Sequence, residues 1–95
     1  MFVRMTHLQF PAETAAAAKE IYLNEIAPVI KSQPGNIDTF LLEPADEDGE
    51  YISYSQWESE ADLKAFEADA VYAPVIGKIK SVVSKPPVQK YYAVI

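Results

Sequence analysis

Ninety-five residues amount to one domain, 1–95, and a chain of this length buries only about two-thirds of the surface its unfolded form exposes. A net charge of -6, with eight scattered Lys and Arg, offers no basic face to displace counterions, which excludes nucleic acid and anionic membranes as partners. With no cysteine and His7 as its one histidine, the chain also excludes disulfides, zinc clusters, iron–sulfur centres and thiol nucleophiles.

Phe2 to Phe10 alternates as a strand, with Phe2, Arg4, Thr6, Leu8 and Phe10 on one face and Val3, Met5, His7 and Gln9 on the other. Pro11 opens a helix predicted over 12–32, with an inward stripe of Ala15, Ala18, Tyr22, Ile26, Val29 and Ile30. Pro28 removes the bond to the carbonyl of Asn24 and predicts a kink in the last turn, and Pro34-Gly35 stops the helix. Ile37 to Leu42 reads as a second strand. The acidic stretch from Glu43 to Glu50 reads as a solvated hairpin connection turning at Asp48-Gly49, without the ligand spacing of a calcium loop.

Tyr51 to Trp57 is the third strand, with Tyr51, Ser53, Ser55 and Trp57 sharing one face. Ser59-Glu-Ala-Asp62 forms a capping box in which the Ser59 hydroxyl meets the amide of Asp62. The second helix carries Leu63, Phe66 and Ala70, breaks at Pro74, and resumes with Ile76, Ile79 and Val83. Pro86-Pro87 ends it, and Val88 to Ile95 closes the chain as a strand.

The tetrapeptide Ala-Pro-Val-Ile occurs at 27–30 and again at 73–76, at matching places in two strand–helix–strand halves. One βαβ unit used twice predicts an α+β, ferredoxin-like βαββαβ sandwich on a four-stranded antiparallel sheet. Apolar side chains on both strand faces, with helices enough to cover one, predict a homodimer through the sheet face that bears Val3, Met5 and His7 or its alternate. The 49% hydrophobic and 12% aromatic content agrees, being more than a small monomer hides. No apolar run reaches membrane-spanning length, and the expected compartment is the cytoplasm.

Glycines 35, 49 and 77 lie too far apart for a phosphate loop, and no serine sits in a nucleophile elbow. Tyr22, Tyr51, Tyr54, Trp57, Phe66, Tyr72, Tyr91 and Tyr92 either fill the core and an interface or wall a flat apolar cavity. Arg4 shares a face with Phe2, Thr6 and Leu8. There its charge either needs a partner or a ligand anion, or snorkels to the sheet edge to pair with an acid.

The segment from Tyr54 to Phe66, strand then tryptophan then capped helix, resembles the signature of the antibiotic biosynthesis monooxygenase family. The Gln33-Pro-Gly-Asn36 turn is similar to that family's helix-ending turn. The resemblance implies a dimeric αβ barrel in which two sheets pack face to face. It also implies small aromatic or quinol-type substrates oxidised by oxygen, with no metal, flavin or other cofactor. Some positions depart from the family pattern. Phe66 stands where many members carry histidine, and Ser53 where the anthrone-oxidising branch has asparagine. Ile76, Thr6 and Phe66 stand where the haem-degrading branch has its iron ligand, asparagine and tryptophan, so binding of haem is not expected.

The function expected from these residues is that of a cofactor-independent monooxygenase, with His7, Trp57 and Tyr54 as catalytic candidates. Arg4, Thr6, Phe66 and Tyr72 are the candidate substrate contacts. The expected cavity lies between the helix-facing side of the sheet and the bent second helix, walled by Trp57 and Phe66. The alternative is a non-catalytic dimeric module that binds a small hydrophobic metabolite.

Overall fold

A computed structural model describes residues 1–46 and 49–95; the expected turn at Asp48-Gly49 lies in part outside the described residues. Strands β1 (Phe2–Leu8), β2 (Asn36–Leu42), β3 (Tyr51–Trp57) and β4 (Val88–Ala93) form an antiparallel sheet in the order β2-β3-β1-β4. That order, with a helical connection between β1 and β2 and another between β3 and β4, is the expected ferredoxin-like sandwich. β3 keeps its predicted limits, whereas β1 ends at Leu8 rather than Phe10. The reason is local: the Gln9 carbonyl accepts from the Ser84 amide at 2.7 Å and the Ser84 hydroxyl at 3.1 Å, which draws the chain off the sheet toward Pro11.

Register decides which side chains lie beneath the helices. Arg4 faces Ser55 and Tyr91 across the sheet, and Thr6 faces Ser53 and Gln89. Phe2, Arg4, Thr6 and Leu8 therefore share the covered face with Trp57, Ser55, Ser53 and Tyr51. The opposite face carries Val3, Met5, His7, Ile52, Tyr54, Phe40, Leu42 and Tyr92. Phe40, Leu42, Val88 and Tyr92 are all exposed there. β2 bulges at Ile37, since Asn36 pairs with Trp57 but Asp38 pairs with Gln56.

The first helical connection is not the single helix predicted over 12–32. It runs as a 3₁₀ turn (Ala12–Thr14), α1 (Ala15–Ile21), a π-helical turn (Tyr22–Ile26) and α2 (Ala27–Lys31). The amide of Ala27 reaches back five residues to the carbonyl of Tyr22. This widening makes room for Pro28, which has no amide to donate and whose ring crowds the preceding turn. The proline is thus absorbed by a π turn ahead of it rather than by a kink in the last turn. Ala18, Tyr22, Ile26 and Ile30 of the predicted stripe are buried, while Ala15 and Val29 are half-buried.

The second connection also divides earlier than expected. α3 (Glu60–Ala68) starts at Ser59, whose Oγ accepts from the Asp62 amide at 3.2 Å as predicted. The break falls at Asp69, whose extended backbone ends α3 and whose Oδ1 accepts from the Val71 amide at 2.9 Å. α4 (Tyr72–Val82) then holds Pro74 in its first turn, where no intrahelical bond is lost. Leu8, Tyr22, Ile26, Ile30, Trp57, Leu63, Phe66, Val75 and Ile79 make the core between these helices and the sheet.

Candidate functional site

The polar centre of this interior is Arg4, a guanidinium that β1 carries beneath the helices and leaves only 2% exposed. Its Nη1 donates to Glu67 Oε2 at 3.1 Å and to the Tyr72 hydroxyl at 3.4 Å. Its Cζ stands 5.6 Å from the ring centroids of both Phe66 and Tyr72, in cation–π range. Arg4 does pair with an acid, but inside the fold rather than at the sheet edge. Its Nε, and the Oγ1 of neighbouring Thr6, are buried without a hydrogen-bond partner.

Two more side chains close this arrangement into a ring. The Tyr91 hydroxyl lies 2.7 Å from Glu67 Oε2 and 3.0 Å from Gln89 Oε1, and Gln89 Nε2 lies 3.0 Å from the Tyr72 hydroxyl. Arg4, Glu67, Tyr91, Gln89 and Tyr72 thus tie β1, α3, β4 and the first residue of α4 together. The Tyr91 hydroxyl is pushed up to about 12, by desolvation first and then by its bond to the Glu67 carboxylate.

A cleft of about 450 Å³ opens beside this ring, lined by Tyr72, Ile76, Lys80, Pro86, Pro87 and Gln89. Tyr72, Ile76 and Lys80 recur every fourth residue and so present one face of α4 to it. A second hollow of about 430 Å³ shares Lys80, Pro86 and Pro87 with the first and adds Val83, Ser84 and Lys85. A hollow of about 520 Å³ lies where β1, β2 and β3 meet their loops, around Phe10, Glu43, Asp46 and Tyr51. It contains none of the candidate site residues.

Over residues 1–73 the sequence matches the family model for antibiotic biosynthesis monooxygenases. The chain belongs to that family. Among solved structures, a candidate antibiotic biosynthesis monooxygenase from Nitrosomonas europaea is similar over 100% of this chain and 99% of its own, at 19% identity and a TM-score of 0.82. SnoaB, a cofactor-independent oxygenase from Streptomyces nogalater, is similar over 98% of this chain and 91% of its own, at 16% identity and a TM-score of 0.82. The heme-degrader MhuD from Mycobacterium tuberculosis, solved with two hemes bound in its active site, covers 100% of this chain and 96% of its own at 19% identity and a TM-score of 0.82. At these identities the likeness is one of fold. No curated protein matches the chain.

For this family member the structure splits the expected site in two. Arg4, Thr6, Trp57, Phe66 and Tyr72 lie on the covered side of the sheet. His7 and Tyr54 lie on the open side, where His7 Nδ1 is 3.6 Å from Glu50 Oε1 and Tyr54 stacks on Phe40 at 4.6 Å. Odd and even residues of one strand point to opposite faces, so His7 cannot share a cavity with Arg4 in one chain.

The wall expected of Trp57 also needs correction. Trp57 is wholly buried and stacks on Phe66 at 5.4 Å, and Phe66 in turn meets Tyr72 edge-on at 5.2 Å. Its indole N–H donates to Ser55 Oγ at 3.0 Å. Ser53 is engaged as well, 2.7 Å from the hydroxyl of buried Tyr22, whose ionisation is pushed up chiefly by desolvation. Phe66 fills the space that a Trp57-walled cavity would need, and Tyr72 is the aromatic residue of this stack that reaches the cleft.

Glu67 and Gln89 carry no signal in the sequence that marks them for the site, and Tyr91 stands out only as one of the aromatic set. Gln89 and Tyr91 alternate on β4 with the parity of the covered face, and Glu67 follows Phe66. Pairing of β4 with β1 sets Tyr91 opposite Arg4 and Gln89 opposite Thr6, and the packing of α3 brings Glu67 to them. Among the described residues no three His, Cys, Asp or Glu side chains converge as a metal site, and no helix is long and apolar enough to cross a membrane.

Proposed function

We propose that this chain is a cofactor-independent monooxygenase acting on a small aromatic or quinol-type substrate, and that it works as a homodimer. The observation that carries the reading is Arg4. A buried guanidinium, with Nε unpartnered, backs an aromatic hydroxyl that lines a cleft of about 450 Å³. Ile76 lines the same cleft, and it is the position at which the resemblance puts the iron-ligating histidine of the haem-degrading branch. An aliphatic side chain cannot ligate iron there, which supports an organic ligand without haem.

The chemistry asks little of the protein. An electron-rich arenolate reduces oxygen directly, and a site that stabilises the anion and excludes water favours that transfer. For oxidation of a dihydroxynaphthalene at the ring carbon para to a hydroxyl, the balance is one O₂ consumed, one oxygen atom retained as a new carbonyl and the other released as water with the ring hydrogen and the hydroxyl hydrogen. In this reading Tyr72, whose hydroxyl accepts from Arg4 behind it, stabilises charge on the substrate oxygen, Phe66 supports Tyr72, Thr6 lies beside Arg4, and Trp57 holds Phe66. His7 and Tyr54 belong to the open face, where they meet the second protomer.

Oxygen uptake with dihydroxynaphthalene-type substrates tests the reading. The wild type is expected to consume oxygen under substrate, and Arg4→Lys, which keeps the charge but loses the planar fork, to consume it at least ten times more slowly. A second reading, a non-catalytic module binding a hydrophobic metabolite, is favoured by the closed Trp57–Phe66 stack. Saturable binding of these aromatics with no uptake above the uncatalysed rate would establish it instead.

A further inference from the structure

The ring around Arg4 has a consequence for the ligand. Tyr91 has one hydroxyl hydrogen for two acceptors, Glu67 Oε2 and Gln89 Oε1. If Tyr91 donates to the carboxylate, the Gln89 amide has two orientations to consider. With Nε2 toward Tyr72, the Tyr72 oxygen receives hydrogens from both Arg4 and Gln89, and its own hydrogen has no acceptor among the described residues. With the amide reversed, Tyr72 donates to the amide oxygen and the amide nitrogen donates to Tyr91. A second amide hydrogen is then left over. With Nε2 toward Tyr72, as the structure has it, both polar groups lining the inner end of the cleft retain a hydrogen to donate; with the amide reversed, the one hydrogen of Tyr72 is engaged and Gln89 alone retains one.

The surroundings have the same sign. Neither the cleft nor the adjoining hollow is lined by a carboxylate, in a chain with 14 acidic and 8 basic residues. Lys80 stands in both, and Lys85 borders the second. The charged and titratable groups around Tyr72 are Arg4 from β1, Glu67 from α3, Tyr91 from β4 and Lys80 from α4. Glu67 offsets the charge of Arg4 at 3.1 Å, so the preference for an anion rests on donors at contact distance and on the rim ammonium. Tyr72, Ile76, Pro86 and Pro87 supply apolar walls for a flat body.

We propose that this cleft selects its aromatic ligand as the arenolate, its oxygen held by Tyr72 and Gln89, so that the substrate sheds its proton to solvent on binding and no side chain serves as base. The proposal rests on the cleft being the substrate site. It accounts for the absence of a carboxylate or histidine from the lining, with His7 on the other face of the sheet. The only bond broken in this step is the ligand O–H, and its proton leaves through the open cleft to water.

Binding of 4-nitrophenol, whose neutral and ionised forms differ in colour, tests this without oxygen chemistry. The phenolate is expected to bind at least ten times tighter than the phenol, which appears as a fall of about one pH unit in the bound probe's ionisation. Tyr72→Phe and Gln89→Leu should each erase most of that preference, with thermal unfolding as the check that both fold. Gln89→Glu, which puts a carboxylate in the cleft, should turn the preference toward the neutral form. Equal affinity for the two forms, no saturable binding of either, or an undiminished preference in both folded variants overturns the proposal. Phenolate selection without oxygen uptake would leave it standing and remove the oxygenase reading; uptake without selection would do the reverse.

Discussion

Arg4 and Glu67 form a 3.1 Å ion pair inside the fold, with the arginine side chain 2% exposed and the glutamate 17%. Removing one member leaves the other charged and desolvated, whereas removing both leaves an apolar gap. Glu67→Leu should therefore destabilise the protein by about 3–5 kcal/mol, and Arg4→Met with Glu67→Leu by clearly less than the sum of the two single changes. Urea unfolding of the three variants measures it. Additive losses would mean that the pair is not coupled.

Tyr91 sets an alkaline limit. Its ionisation is raised to about 12 in the fold against about 10 in an unfolded chain. The folded state thus binds more protons between these values. Its contribution is fully present below pH 10 and is lost as pH rises toward 12. With Tyr91 40% exposed, solvent screening keeps the effect small. Tyrosinate absorbance should show Tyr91 and buried Tyr22 ionising only at high pH, and Tyr91→Phe should remove one of these late-titrating groups. An unchanged late phase in Tyr91→Phe would contradict the geometry.

Trp57 supports the site from within the core. Its full burial and its stack on Phe66 predict a loss of about 3–5 kcal/mol for Trp57→Ala, and less for Trp57→Phe, which keeps a ring against Phe66. Chemical denaturation gives the values. A cost below about 1 kcal/mol for the alanine variant would show that this part of the core closes without the indole.

The open sheet face predicts the assembly. Phe40, Leu42, Val88 and Tyr92 expose 39%, 40%, 51% and 47% of their surface on it, alongside half-buried Met5, Ile52 and Tyr54. A stable dimer through this face would bury upwards of about 2,000 Å² in total. Light scattering should give twice the 10.6 kDa chain mass, and Phe40→Asp with Tyr92→Asp should give the monomer. A wild type that scatters as one chain at micromolar concentration ends the dimer reading.

Gly35 adopts φ +81°, the left-handed region, between α2 and β2, and a Cβ there would collide with the Asp62 side chain that helps Ser59 cap α3. Gly35→Ala should cost about 1–2 kcal/mol from backbone strain alone, and more if the cap is displaced. Thermal unfolding of Gly35→Ala beside Asp62→Ala separates the two contributions.

Much of the fold was legible in the chain because local rules govern it. Alternation placed β3 to the residue, the Ser59 cap set the start of α3, and the repeated Ala-Pro-Val-Ile halves implied the sheet order. The parity of β1 put Arg4 and Thr6 on the same face as Phe2 and Leu8. Strand parity and the helix cap depend on a residue's own neighbours in sequence, and the repeat is visible by comparing the two halves. The site depended on contacts across long separations. Arg4 and Glu67 are 63 positions apart, and Gln89 meets Tyr72 only because β4 lies beside β1. His7 and Tyr54 were grouped with Trp57 by residue type, and the pleat then sent them to the other side of the sheet. Trp57 was read as a wall because a tryptophan on a strand can line a cavity or fill a core equally well. The packing of Phe66 against it decided for the core, since dispersion and burial favour a closed aromatic stack wherever the backbone lets two rings meet.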